Sequence, residues 1–537
     1  MNAGRKLYFF SFFCIACFLM PEAVFGGAVQ ARWIPLTRPD RGGVGDTGPY
    51  DYGVMGPPAT GEIVKAAERG IPTPVPPGPF EPTWESLKNN YRTPSWFDDA
   101  KFGIFMHWGL YSVPAYRSEW YEKHMYGALV KWHTENFGTP EQFGYKDFIP
   151  LFTAAKWDPD TWAELFKKSG ARLVMPCAQH HDNFALWDSE VTKFNAKKMG
   201  PKRDLIGELG AAVRRQGIKF GVSNHGIENF TFIDLSRDQF ERLRDVEADL
   251  FSPEWAAFYN VADRSDEAQI RFLTDWVNRN LELIDRYQPD ILWFDNGVNL
   301  RVLDPLKLYV AAYYYNRARQ WNKEVSLSTK FIAYAPSNKD TEQIGSIIDF
   351  EKVSHRSPAD IRAGSWMVDD PIGSTWGYTE GMSVADTGKI LNRLIDTVSK
   401  GGFYLLNISP MADGTIPEVQ QNTLLGIGEW LEQNGQAIYD TRPWFKYGEN
   451  AAEQGLPNYH FTVKGDTLYA IGSSWPRTPT TTITSVPSTL GRVDKVELLG
   501  ADDPLSFTQD TFGLTVNLPP QQPGEHAYVL KITGLKW

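Results

Sequence analysis

The chain has 537 residues, 42% of them hydrophobic and 22% charged, which is the profile of a globular protein with a large core and two or three domains. Its formal net charge is -11 and it has no long basic run, which argues against nucleic acid or an anionic membrane surface as a partner.

The first 26 residues read as a secretory signal peptide: Arg5 and Lys6 precede an apolar run from Leu7 to Met20, and Gly26, Gly27 and Ala28 offer a cleavage point. The mature protein is therefore expected to be secreted or periplasmic. Removal of this segment takes Cys14 and Cys17 with it and leaves only Cys177, so no intrachain disulfide is expected. No later apolar run reaches the roughly 18 residues that a membrane helix needs, so the mature chain should have no membrane partner.

Residues 27–85 are rich in Gly and Pro and predict an extended arm, unsuited to helix or central strand, that wraps the next domain or contacts substrate. Between 86 and 444, short apolar runs alternate with helix-length amphipathic stretches, the mark of repeated βα units. The runs are FGIFMHWG, RLVMPCA, KFGVSNH, DILWFDN, VSLSTK, SIIDFE and GFYLLNI. Asp158 is placed to cap a helix whose apolar positions Trp162, Leu165 and Phe166 share one face. Without a glycine-rich phosphate loop to suggest an open doubly wound sheet, the pattern predicts an α/β fold of the (β/α)8, or TIM, barrel type. Residues 445–537 switch to short alternating runs such as TLYAIGS and AYVLKITG, which predict a small antiparallel β-sandwich.

The apolar runs of the barrel region end in polar residues, and in a (β/α)8 barrel those strand ends line one functional face. His107 closes the first run, and His180 and His181 follow the second. Asn224 and His225 close the third, Asp295 the fourth, Lys330 the fifth and Glu351 the sixth. Because neighbours on a strand point to opposite faces, His180 and His181 are not expected to share a metal ion, and neither metal nor cofactor is predicted.

The segment WFDDAKFGIFMHWGLYSVPAYRSEWYEKHMY, from Trp96 to Tyr126, resembles the opening barrel strand and loop of glycoside hydrolase family 29, the α-L-fucosidases. AQHHDNFALWDSEVTKFNAKKMGPKRDL, YQPDILWFDNG and VSKGGFYLLNISPMADGTIP are similar to three further stretches of that family in the same order. The resemblance implies a retaining exo-glycosidase that removes terminal α-L-fucosyl residues from oligo- or polysaccharides through a covalent intermediate. It places the nucleophile at Asp295. His107, Glu119, Trp120, His180, His181 and Trp293 fall on sugar-holding positions, and Trp376 resembles an aromatic residue packed near carbon 6. Two carboxyl groups about 5 Å apart are required for such chemistry.

For the acid/base, the candidates are Glu342, Asp349, Glu351, Asp369 and Asp370, and Glu351 is chosen for its strand-end position and DFE context. Several positions depart from the family. Ser223, Asn224 and His225 stand where many members carry paired tyrosines, Lys330 where an arginine is common, and Phe403 where asparagine is usual. Asn224, His225 and Lys330 therefore join the sugar-pocket candidates. A more polar pocket suggests an alternative, an exo-α-L-galactosidase of algal-type polysaccharides, with a 6-sulfate held by Lys330 or Arg117. A non-catalytic sugar-binding relative is the third reading.

Overall fold

The computed structural model describes residues 57–536 apart from 331, 338, 354–356 and 451–456. The segment read as a signal peptide and residues 27–56 of the expected arm lie outside the described residues.

Eight parallel strands close a barrel in chain order: β1 (Phe102–Met106), β2 (Leu173–Gln179), β3 (Lys219–Asn224), β4 (Ile291–Phe294), β5 (Ser326–Lys330), β6 (Ile347–Asp349), β7 (Trp366–Pro371) and β8 (Phe403–Ile408). β1 pairs with β8 to close the ring, Phe105 standing opposite Asn407. Period-two alternation sorts the side chains. Phe105, Leu173, Met175, Ile291, Trp293, Ile347, Met367, Phe403 and Leu405 form one cluster inside the barrel, whereas Ile104, Val174, Val222, Leu292, Phe294 and Leu406 belong to the larger core outside it. The short helix Phe97–Ala100 plugs the N-terminal mouth, and Phe97 stacks on Phe403 with ring centroids 5.0 Å apart. This leaves the carboxyl ends of the strands as the open face.

The outer helices begin where side chains can satisfy their free N–H groups. Asp158 accepts from Asp160 and Thr161 at the start of Pro159–Lys168, which buries Trp162, Ala163 and Phe166. Strand β7 was not among the apolar runs, because WMVDDP carries two acidic residues where its neighbours are apolar. The described part of the arm also differs from an all-extended segment. Thr60 caps a helix, Gly61–Arg69, that buries Ile63, Val64 and Ala67. Thr274 donates to the carbonyl of Ala67 and ties this helix to Asp266–Tyr287. Beyond it Asn316 holds the Pro-rich stretch at Pro76 and Phe80 through three hydrogen bonds of 2.8–3.0 Å. The described part of the arm thus lies along the barrel's helices.

The C-terminal unit has a five-stranded antiparallel sheet, made by β9 (Arg442–Asn450), β10 (Pro457–Lys464), β11 (Thr467–Gly472), β13 (Lys495–Leu498) and β16 (Tyr528–Thr533). A second sheet of β12 (Thr480–Ile483), β14 (Phe507–Asp510) and β15 (Gly513–Asn517) faces it. Phe461, Leu468, Val496 and Leu530 of the first sheet share one core with Ile483, Leu514 and Val516 of the second, so the unit is a sandwich. Trp430, on the barrel's last helix, donates its indole N–H to Ala527 at 2.7 Å and joins the two units.

That last helix, Glu418–Asn434, crosses Pro159–Lys168 at Gly428, where an added Cβ would lie 1.9 Å from the Lys168 carbonyl oxygen. Gly428→Ala should therefore force two backbones apart and cost about 1–3 kcal/mol. Gly61→Ala, with nothing within 4 Å of the new atom, should be neutral or slightly stabilising. Thermal melts of the two variants check the contrast.

Candidate active site

At the open end of the barrel the side chains converge on Asp295, the residue after β4. Asp295 is 6% exposed, and each oxygen is held from a different side. Oδ1 lies 3.1 Å from Lys330 Nζ and accepts the Asn296 backbone N–H at 2.8 Å. Oδ2 lies 2.8 Å from His225 Nδ1 and 3.8 Å from His181 Nε2. Burial alone would raise the Asp295 pKa, but Lys330, His225 and His181 outweigh it and hold the carboxyl well below the usual range. Asp295 is an anion.

Lys330, the last residue of β5, also lies 3.7 Å from Glu351 Oε2. Burial opposes its charge, yet Asp295 and Glu351 keep its pKa well above the ordinary value. One ammonium therefore bridges Asp295 and Glu351, and their nearest oxygens are no farther apart than its two contacts laid end to end. That bound accommodates the ~5–5.5 Å separation of a retaining pair.

Below this level Trp293 forms a floor. It is fully buried, its indole N–H donates to Asp349 Oδ2 at 2.7 Å, and its ring lies 5.4 Å from Lys330 Nζ. Asp349 also accepts the Asp369 backbone N–H at 3.0 Å. Asp369, inside β7, is fully buried with neither carboxyl oxygen hydrogen-bonded among the described residues. Burial raises the pKa of both, Asp349 to about 6, and the charge of Asp349 raises that of Asp369 further, so Asp369 favours its neutral form.

Four imidazoles complete the cluster, and burial depresses the pKa of each, His181 to about 3. They are neutral, and their partners fix two tautomers. His225 Nδ1–H donates to Asp295, so its Nε2 accepts the Ser223 hydroxyl at 2.9 Å. Asn407 spends its N–H on the Trp376 carbonyl at 2.8 Å, so its oxygen accepts His107 Nδ1–H at 2.7 Å and leaves His107 Nε2 as an acceptor. His180 Nδ1 has no partner among the described residues. Neutral rings with open nitrogens suit a ligand rich in hydroxyl groups.

Trp376 and Trp120 form half-buried walls. The Trp376 ring lies 5.2 Å from His107 and 5.5 Å from Lys330 Nζ, and the Trp120 ring meets His181 edge-on at 6.0 Å. Glu119 is buried and accepts the Gly377 N–H at 3.2 Å, and burial raises its carboxyl pKa despite its backbone hydrogen bonds.

Most of the residues proposed from sequence thus gather at one end of the barrel. Asn224 does not. It points to the opposite side of β3, donating to Asn280 at 3.0 Å and accepting from Gly226 at 2.8 Å, so it is a packing residue outside the cluster. The separation of His180 from His181 by strand alternation also fails. β2 ends at Gln179, both histidines lie in the turn beyond, and their ring centroids are 4.2 Å apart. His107, His180 and His225 bring ligand atoms within 4.8 Å of one another, as do His181, His225 and Asp295. An ion on either set would have to displace a partner of His225, whose two nitrogens are both engaged.

Asn407 and Glu228 are not among the residues proposed from sequence, and Asp369 stands there only as an alternative acid/base. Asn407 lies within barrel strand β8, near its end, as the chosen residues lie near the ends of theirs. Glu228, behind His181, had no signal beyond proximity to His225.

Residues 73–436 match the family described as Alpha-L-fucosidase, and residues 453–533 match the Alpha-L-fucosidase C-terminal domain. The chain is similar to the tissue alpha-L-fucosidase of Mus musculus, with 34% identity over 473 residues that cover 85% of this chain and 95% of that one. The plasma alpha-L-fucosidase of Homo sapiens is 32% identical over 490 residues, 85% of this chain and 93% of its own. Among solved structures, the Thermotoga maritima alpha-fucosidase in complex with fucose superposes with a TM-score of 0.68 at 32% identity, covering 84% of this chain and 99% of that one.

Since His225 has no free nitrogen to offer, the purified protein should carry no stoichiometric metal, and dialysis against EDTA should leave its Tm unchanged. A Tm loss restored by zinc would place an ion on the histidine cluster.

Proposed function

The chain belongs to the α-L-fucosidase family, glycoside hydrolase family 29, and we propose that Asp295 is the nucleophile and Glu351 the acid/base with which it hydrolyses α-L-fucosides with retention. The observation that carries these assignments is the single ammonium of Lys330 set between the two carboxyl groups, 3.1 Å from one and 3.7 Å from the other. Asp295, kept ionised at the end of β4, attacks the anomeric carbon while Glu351 protonates the departing oxygen. Water then cleaves the ester with Glu351 as base. When the ester forms, Asp295 loses its charge and Lys330 faces Glu351 without that counter-charge, which favours the arrangement the second step needs.

Neutral His107, His180 and His181 receive the sugar hydroxyls, and Trp120 and Trp376 cover its apolar faces. Trp293 acts from beneath, by fixing Asp349 and supporting Lys330. The substrate is a fucosylated carbohydrate, and we take the natural form to be a terminal fucose on an oligo- or polysaccharide met outside the cytoplasm, in keeping with the amino-terminal signal. Lys330 is engaged by carboxylates and so is poorly placed to bind a 6-sulfate, which favours fucose over the sulfated L-galactose alternative.

Asp295→Gly should lower turnover of an aryl α-L-fucoside by about a thousandfold or more while the protein stays folded. Added azide should restore turnover and yield the β-azide, because a small anion entering the vacated face inverts the centre once. Undiminished activity would move the nucleophile elsewhere.

Glu351→Ala should depend on the leaving group. A dinitrophenyl fucoside needs little protonation to depart, so the intermediate should form fast and hydrolyse slowly, with a burst. On a natural oligosaccharide the first step should fall by roughly a hundredfold. Equal losses on both substrates would make Glu351 structural and direct the same test to Asp349.

A further inference from the structure

Glu228 ends the single turn Gly226–Glu228 that follows His225. It is fully buried, and neither carboxyl oxygen has a conventional hydrogen-bond partner among the described residues. His181 stands beside it with Nδ1 3.3 Å from Oε2, while the other nitrogen of the same ring lies 3.8 Å from Asp295 Oδ2. The three groups form a chain from a buried carboxyl, through an imidazole, to the nucleophile.

Two tautomers of His181 compete. With the proton on Nδ1, the ring donates toward the His225 carbonyl at 3.2 Å and turns the Nε2 lone pair toward the anion of Asp295, which is repulsive. With the proton on Nε2, the ring presents an N–H to Asp295 and needs a donor at Nδ1. The His225 carbonyl does not then go unmet, because it also accepts the backbone N–H of Glu228 at 3.4 Å. A protonated Glu228 is the donor that Nδ1 requires, and Nδ1 is the acceptor that a buried carboxylic acid requires.

We propose that Glu228 is a positioning residue, whose neutral carboxyl group donates to His181 Nδ1 and so fixes the Nε2–H tautomer that faces the nucleophile and the bound sugar. Burial, followed by the charge of Asp295, supports the neutral form. Lys330 and Lys123 pull the other way without overcoming it. The arrangement gives His181 a fixed donor at the point where a sugar hydroxyl oxygen and the Asp295 carboxylate meet. It also accounts for a buried acid that would otherwise only cost stability. The inference rests on Asp295 as nucleophile, a reading that the Asp295→Gly and azide experiment tests separately.

The test compares Glu228→Gln with Glu228→Leu on an aryl α-L-fucoside, with Tm measured for each. The glutamine amide can still donate to Nδ1, so Glu228→Gln should keep most of kcat/KM. Glu228→Leu cannot, and should lose about tenfold or more, mainly in kcat, while its Tm stays level or rises because a buried polar group is gone. In a His181→Ala background the leucine substitution should add almost nothing. Glu228→Met serves in the same way if the leucine variant does not fold. Undiminished turnover in the leucine or methionine variant, equal damage from glutamine, or a fully additive loss in the His181→Ala background would each overturn the assignment.

Discussion

The active end of this barrel is organised by one buried cation. Lys330 Nζ sits 3.1 Å from Asp295 and 3.7 Å from Glu351 with only 8% of its side chain exposed. Taking an ammonium and a carboxylate out of water costs several kcal/mol each, and an apolar pair of similar volume would serve stability as well or better. Its worth lies in the charge state it imposes. Burial works against the charge of Asp295, and Lys330 is the largest of the groups that oppose it, ahead of His225 and His181. With it, the anion persists at the centre of a buried site.

The same cation shapes the imidazoles. His107, His181 and His225 all feel Lys330 as a repulsive charge added to the cost of their own burial, so the cluster holds neutral rings around a permanent anion. A neutral imidazole has one donor and one acceptor, and its direction is set by whatever holds its other nitrogen. Asn407 and Ser223 perform that service for His107 and His225. Sugar hydroxyls both donate and accept, so a ring of oriented neutral imidazoles can discriminate among their positions in a way that imidazolium donors could not.

The barrel was legible in the sequence because strand-length apolar runs recur between amphipathic helices, and the polar residues ending those runs marked the open face. Asp295, Lys330, Glu351 and the histidines were found by that rule. It failed where its premises failed. β7 interrupts its apolar face with Asp369 and Asp370, and Asn224 ends β3 but stands one residue out of phase with the inward side. His180 and His181 were assigned to opposite faces by strand alternation, although the strand has already ended at Gln179. The helix at Gly61–Arg69 was hidden by the Gly and Pro on either side, although Thr60 and the spacing of Ile63, Val64 and Ala67 carry its signature. Glu228 was not legible at all, since its relation to His181 exists only once the turns after β2 and β3 are brought together.

The inner carboxyl groups follow from the same electrostatics. Asp295, Glu351, Asp349 and Asp369 all act on Lys330 or on one another, and four anions around one cation would leave a large uncompensated charge in a low-dielectric space. The structure divides them by hydrogen bonding. Asp295 receives donors on both oxygens and stays ionised, while Asp369 receives none and is pushed toward neutrality, with Asp349 pushed the same way despite the Trp293 indole and a backbone N–H. Asp369 therefore favours its neutral form beneath Lys330 and competes little for the ammonium, while Asp349 spends its two oxygens on the Trp293 indole and a backbone N–H. Lys330 is left to the two carboxyl groups that face the mouth, which are the two that a retaining glycosidase needs.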